Sequence, residues 1–204
     1  MIGTALSGRV NMLVPVDFMH LSERAMLYVV FTFGEMIISI TGYFEDRVTP
    51  TALYFSAMAF LIVAGLFLSY EILYNKLVDR ERTTNGTGYM MIHVFLILAL
   101  NNFSVALEFM REEEVDLLFK TMFITGSFVF YFICLFMTGI YSKKSCGLNM
   151  RFYLFCVLGG ICFFVLMFLF RTNMYLNIAI SVIYVMAIFL VLYRRGRSVE
   201  EERE

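Results

Sequence analysis

Proline occurs only twice in the 204 residues and tryptophan not at all. Scarce proline removes the residue that most often breaks helices, so long uninterrupted helices stay open to the chain. Missing tryptophan excludes indole anchors, and any interfacial belt must be built from Tyr and Phe. Charge is thin as well: Asp, Glu, Lys and Arg make up 16% of the chain, against about 25% in ordinary soluble domains. The formal net charge of −1 lacks the basic excess of a nucleic-acid binder. The four cysteines, Cys134, Cys146, Cys156 and Cys162, form no C-x-x-C pair. Three lie inside apolar runs and read as small buried hydrophobes, so neither a disulfide nor a metal is expected. H-E-x-x-H and G-x-S-x-G do not occur, which removes two common hydrolase signatures. Neither a T-V-G-Y-G filter nor an arginine-repeat voltage sensor is found. The apolar stretch at residues 12–16 is too short for a cleavable signal.

What the chain does have is apolar mass. It is 60% hydrophobic with a mean hydropathy of +0.78, against roughly 45–50% apolar in soluble domains. A fold of this size in water exposes too much surface to hide that content. About 20 apolar residues carry a helix across the hydrocarbon core. Six such runs are read, at residues 24–44, 51–74, 88–109, 117–141, 152–170 and 174–193. They are too long and continuous for barrel strands. The expected fold is therefore all-α: a polytopic helical bundle with six transmembrane helices, one membrane domain over 1–193 and a charged, frayed tail over 194–204. Asp17 is placed to cap the first helix, and Thr49 with Pro50 to cap and open the second. Met and Phe are abundant but are read as packing and lipid-facing residues, and no cofactor is drawn from them.

Orientation follows from the basic residues. Twelve of the sixteen Lys and Arg fall on one side: Arg9, Arg24, Lys76, Arg80, Arg82, Lys143, Lys144, Arg151, Arg194, Arg195, Arg197 and Arg203. Arg47, Arg111, Lys120 and Arg171 fall on the other. The bias puts both termini and the 75–88 loop in the cytoplasm. Tyr28, Tyr70, Tyr74, Tyr89, Tyr141, Tyr153 and Tyr193 sit near the ends of spans, as an aromatic belt requires.

Ionisable groups within spans are costly and usually line a bundle interior or water path. The first helix carries Glu35, eleven residues beyond Arg24, or roughly 16 Å deeper. The third carries His93, Asn101 and Asn102, with Glu108 near its outer end. His20, Arg24 and Glu35 fall on one stripe of the helical wheel, and Asn101 and Glu108 on another. If the stripes meet, they make a buried polar seam across the membrane. Its cytoplasmic mouth holds His20, Glu23, Arg24, Glu71 and His93, its middle Glu35, Asn101 and Asn102, and its outer mouth Glu108 and the Glu112–Glu114 acidic run. Each group also has a structural reading. Glu23, Arg24 and Glu71 can be interfacial charges, Asn101 and Asn102 interhelical glue, and His93 a partner for a backbone carbonyl.

Residues 20–40, HLSERAMLYVVFTFGEMIISI, resemble the low temperature requirement A (LtrA) family. Its members carry H-x-x-E-R, an apolar run and G-E, here His20, Glu23, Arg24, Gly34 and Glu35. Tyr89 and His93 are similar to the Tyr/His pair that opens a later helix of that family. Where the family favours an acid after the second helix, this chain has Asn75. The resemblance implies a bacterial inner-membrane protein linked by the family's name to growth at low temperature. Family members generally have an upstream helical half with an F-F-D-L-V-F-like motif, which is not found here. It therefore implies a short member or the C-terminal portion of a longer protein.

Three functions fit these residues. The first is an ion or proton pathway or a secondary transporter for a small ion or solute, embedded in the lipid bilayer and completed by a homo-oligomer or a missing N-terminal half. The second is a membrane enzyme acting on lipid headgroups through the cytoplasmic cluster. The third is a structural or regulatory subunit whose polar residues fix helix packing.

Overall fold

The computed structural model describes residues 17–44, 48–112, 114–143 and 150–201. Arg9, the 12–16 stretch, Arg47, Glu113, Lys144, Cys146 and Arg203 lie outside the described residues. Six long helices follow one another: α1 (Phe18–Ile40), α2 (Pro50–Ile72), α3 (Thr87–Arg111), α4 (Leu117–Thr138), α5 (Met150–Leu169) and α6 (Met174–Glu201). All six are long and apolar enough to cross a membrane. This is the all-α, six-helix fold expected from hydropathy.

Side chains set the starts of the helices. The Asp17 carboxylate accepts from the backbone N–H of Met19 at 3.0 Å and of His20 at 3.2 Å. This cap starts α1 well before the expected Arg24, because the polar first turn costs nothing outside hydrocarbon. Thr49 Oγ1 accepts from Ala52 N–H at 3.1 Å, with Pro50 in the first turn of α2. Asp116 caps α4 and Asn173 caps α6 in the same manner. Short helical turns prolong three helices: 3-10 turns over Thr41–Phe44 and Gly139–Tyr141, and a π turn over Leu73–Leu77. The expected 75–88 loop is therefore shorter than its composition implied. The stretch after Tyr193, expected to fray, continues α6 through Glu201.

Helix α3 packs against α4 and α1, α2 against α6 and α1, and α5 against α4 and α6. In lipid the packing force is close contact and internal hydrogen bonding, since tails are as apolar as leucine. The α1 residues that face the core, Ser22, Ala25, Val29, Phe33, Met36 and Ile40, recur at three and four. Phe128 of α4 meets Phe103 of α3 and Phe163 of α5 edge-on, at centroid distances of 4.6 and 5.3 Å. Phe163 stacks on Tyr184 of α6 at 4.2 Å. Polar cross-links are few. Tyr131 donates to the Leu66 carbonyl at 2.8 Å, tying α4 to α2. Asn177 Nδ2 donates to Thr121 Oγ1 at 3.0 Å, tying α6 to α4.

Gly86, which precedes α3, has a φ of 67°, in the left-handed region that glycine enters without penalty. A Cβ there would also collide with Leu21 Cδ2 of α1. Gly86→Ala is expected to lower stability by about 1–3 kcal/mol, from left-handed strain plus displacement of Leu21, read as a drop in the thermal unfolding midpoint in detergent. An unchanged midpoint would mean that the α1–α3 contact is not tight at this end.

The basic end of the bundle differs from the expected aromatic belt. Tyr70, Tyr74 and Tyr89 are buried. Phe18, Tyr89 and Tyr141 contact one another, with centroids 5.1 to 5.8 Å apart. Arg80 lies over Tyr74 and Arg82 over Tyr141. Tyr28 and Tyr193 are exposed, as a belt residue would be. A backbone lacing closes this end: Asp79 N–H donates to the Tyr141 carbonyl at 2.8 Å and Lys143 N–H to the Leu77 carbonyl at 2.9 Å.

Candidate functional site: the groove between α1 and α3

The polar residues singled out in sequence divide into three places. His93 is inside the bundle. Its Nε2 lies 3.0 Å from the Tyr70 hydroxyl and its Nδ1 2.9 Å from the Tyr89 carbonyl. In the neutral ring that carbonyl, which can only accept, fixes the proton on Nδ1 and leaves Nε2 to accept from Tyr70. Both polar atoms of the ring are thus satisfied by the fold.

Asn102 is half-buried on the α4 flank of α3, in a shallow cleft with Met122, Phe123, Gly126, Ser127 and Phe130. Consecutive helix residues point about 100° apart, so Asn101 takes the opposite flank.

Glu35, Asn101 and Glu108 are exposed on the outer surface of the bundle. They do not enter its interior, where the sequence had placed the seam. They share one groove nonetheless. On α1, Leu21, Tyr28 and Glu35 are seven apart and Ser39 follows at four, so all four share a flank. Leu21 touches α3 at Gly86. Ser39 lines a cleft with Leu107 and Glu108 of α3, and the Tyr43 hydroxyl donates to the Leu107 carbonyl at 2.6 Å. Contacts at both ends thus turn the flank that carries Glu35 toward α3. On α3, Asn101 is seven before Glu108 and therefore faces the same cleft line. The two helices run side by side between the Leu21–Gly86 and Ser39–Glu108 contacts. Counted up from the first contact Glu35 matches the height of Leu100 on α3, and counted back from the second that of Ser104, so it lies within roughly 5 Å of the height of Asn101 at 1.5 Å of rise per residue, near the middle of both apolar runs.

The outward faces beside these flanks are apolar: Leu27, Phe31 and Ile38 of α1 and Val94, Leu98 and Val105 of α3 are all exposed. At the basic end, His20 lies 3.4 Å from Glu23 and 3.6 Å from Asp17, and Arg24 is exposed one turn on. Glu71 is not part of this group and accepts from Asn75 Nδ2 at 2.5 Å on its own helix. The arrangement offers a carboxyl and a carboxamide at mid-depth, with a carboxylate at one mouth and a His/Glu/Arg set at the other.

The backbone-carbonyl partner expected for His93 is that of Tyr89; Tyr70, expected in the interfacial belt, joins them from another helix. No curated protein and no solved structure matches the chain. The family model described as bacterial low temperature requirement A protein matches residues 2–192, nearly the whole chain and including His20, Glu23, Arg24, Gly34 and Glu35. The chain is a multi-pass membrane protein and belongs to the bacterial low temperature requirement A family.

Proposed function

We propose that this protein is a transport or ion/proton pathway protein of the bacterial inner membrane, with both termini in the cytoplasm. What supports the reading is that Glu35 and Asn101 are both exposed near mid-depth, on flanks of α1 and α3 that the Leu21–Gly86 and Ser39–Glu108 contacts bring side by side. A carboxyl group at that depth costs at least a few kcal/mol unless it serves a pathway or a partner. Glu108 forms the outer mouth, and His20, Glu23 and Arg24 the cytoplasmic mouth. The sense of the path rests on the basic bias, since the Lys76, Arg80, Arg82 and Arg194 end carries most of the cations. Asn102 lies on the other flank and lends the path structural support only. His93 belongs to the scaffold. The headgroup-enzyme reading needs His20, Glu23, Arg24, Glu71 and His93 together, and it draws no support from a His93 buried against Tyr70 or a Glu71 bonded to Asn75.

The test is proton and cation flux in proteoliposomes, comparing the native chain with Glu35→Gln. Gln keeps the size and hydrogen-bonding capacity of Glu but cannot carry a proton. Flux is expected to fall by roughly tenfold or more, as for an obligatory intramembrane carboxyl, with the unfolding midpoint unchanged. Equal flux in the two proteins would remove Glu35 from any pathway. No flux in either, with a lower midpoint for Glu35→Gln, would make the carboxyl a packing element.

A further inference from the structure

The exposed mid-depth surfaces of the bundle are not alike. On α4 the outward residues are Val129 and Ile133, on α5 Val157, Leu158 and Ile161, and on α6 Ile183 and Leu190. Lipid tails cover such faces without cost. The α1–α3 groove instead presents Glu35 and Asn101 at that depth. Lipid tails offer no hydrogen bond to either group.

We propose that the groove between α1 and α3 is the interface with a second copy of this chain, with Glu35 of each copy hydrogen-bonded to Asn101 of the other. A two-fold axis along the membrane normal is the simplest way to pair two identical membrane proteins. Such an axis preserves depth: a residue can meet only residues of the partner at its own level. Glu35 and Asn101 lie within roughly 5 Å of the same height at 1.5 Å of rise per residue, a gap their side chains span, so the axis lets each find the other, and the contact is made twice. A carboxamide both donates and accepts, so it satisfies the carboxyl with or without its proton. Two like carboxyls meeting on the axis would lack that freedom. Around the polar pair, Leu27, Phe31 and Ile38 of one copy face Leu98 and Val105 of the other, which closes the groove with apolar contact.

An unrelated membrane partner would have to present its own polar pair at the same depth, whereas a second copy already does. The inference shares its groove with the pathway reading but does not need transport. A dimer forms around the pair whether or not anything moves along it.

The full chain, labelled at its C-terminus, is reconstituted in lipid vesicles at graded density, and copies per spot are counted by stepwise photobleaching. The native chain is expected to pass from monomer to dimer as density rises. Glu35→Leu and Asn101→Leu are each expected to weaken the dimer by about tenfold, in the range of interhelical hydrogen bonds in membranes. The double variant is expected to be little weaker than either single one, because both remove the same bonds. Leu158→Ala on α5 serves as a control and should change nothing. Glu35→Gln retains a donor and an acceptor and is expected to keep the dimer while losing flux, which separates the failure of this inference from failure of the pathway reading. A native chain that stays monomeric at every density, leucine variants as dimeric as the native chain, or losses that add in the double variant would each overturn the proposal.

Discussion

Replacing Gly65 by leucine is expected to cost the bundle about 3 kcal/mol, the upper range for overpacking a tight contact, and to loosen α2 from α6. A Cβ on Gly65 would stand 2.5 Å from Val185 Cγ1 and 3.3 Å from Met186 Cε. Val185 is fully buried, and its branched side chain has one strongly preferred rotamer in a helix. It cannot swing aside as a flexible terminal group would. The α2–α6 pair is one of the most extensive helix contacts in the fold, and Ser69 Oγ, donating to the Gly65 carbonyl at 2.7 Å, lies one turn away. In lipid, helices gain nothing from hiding apolar surface as such, so lost contact is not recovered elsewhere. The measurement is the unfolding midpoint in detergent or bicelles. Val185→Ala alone should cost on the order of 2 kcal/mol for two lost methyl groups. Combined with Gly65→Leu it should offset part of the damage, because the new side chain takes the vacated space. Costs that simply add would show that the two residues do not share a site.

This contact illustrates what a sequence of this kind displays and what it hides. The six spans were legible because hydrocarbon demands about 20 apolar residues per crossing and the polar turns between them are short. The caps at Asp17 and at Thr49–Pro50 were legible because those residue types satisfy orphan N–H groups. Facing was legible only in part. The helical wheel grouped Arg24 with Glu35 and Asn101 with Glu108, and each of these four is exposed. The direction of that face was not legible. In a soluble helix, polar residues mark the outside. In lipid both faces are apolar: α6 buries Ile178, Val185 and Ile188 yet exposes Ile183 and Leu190. Residue type alone cannot tell the core side from the lipid side, so a rule that sends charges inward placed Glu35 within the bundle. The same ambiguity assigned Tyr70, Tyr74 and Tyr89 to a belt. All three are close to span ends but turn toward the core, where Tyr70 finds His93 and Arg80 covers Tyr74.

His93 separates scaffold from pathway most sharply. His93→Leu is expected to lower stability by about 1–3 kcal/mol, the cost of leaving a buried polar group without a partner. The orphan is the Tyr70 hydroxyl, which is buried between α2 and α3 and bonds His93 Nε2 at 3.0 Å. The Tyr89 carbonyl loses only a second contact, since it sits four residues back in α3 and keeps its helical bond. Two measurements are needed together, the unfolding midpoint and the flux per folded molecule in vesicles. The midpoint should fall and the normalised flux should hold. Tyr70→Phe in the His93→Leu background should then recover much of the loss, because removing both partners of a buried hydrogen bond leaves no polar atom stranded. A variant that keeps its midpoint but loses flux would put His93 on the conducting path. It would also mean that the route runs through the bundle between α2 and α3, and the α1–α3 groove would then be left with the pairing of two chains as its purpose.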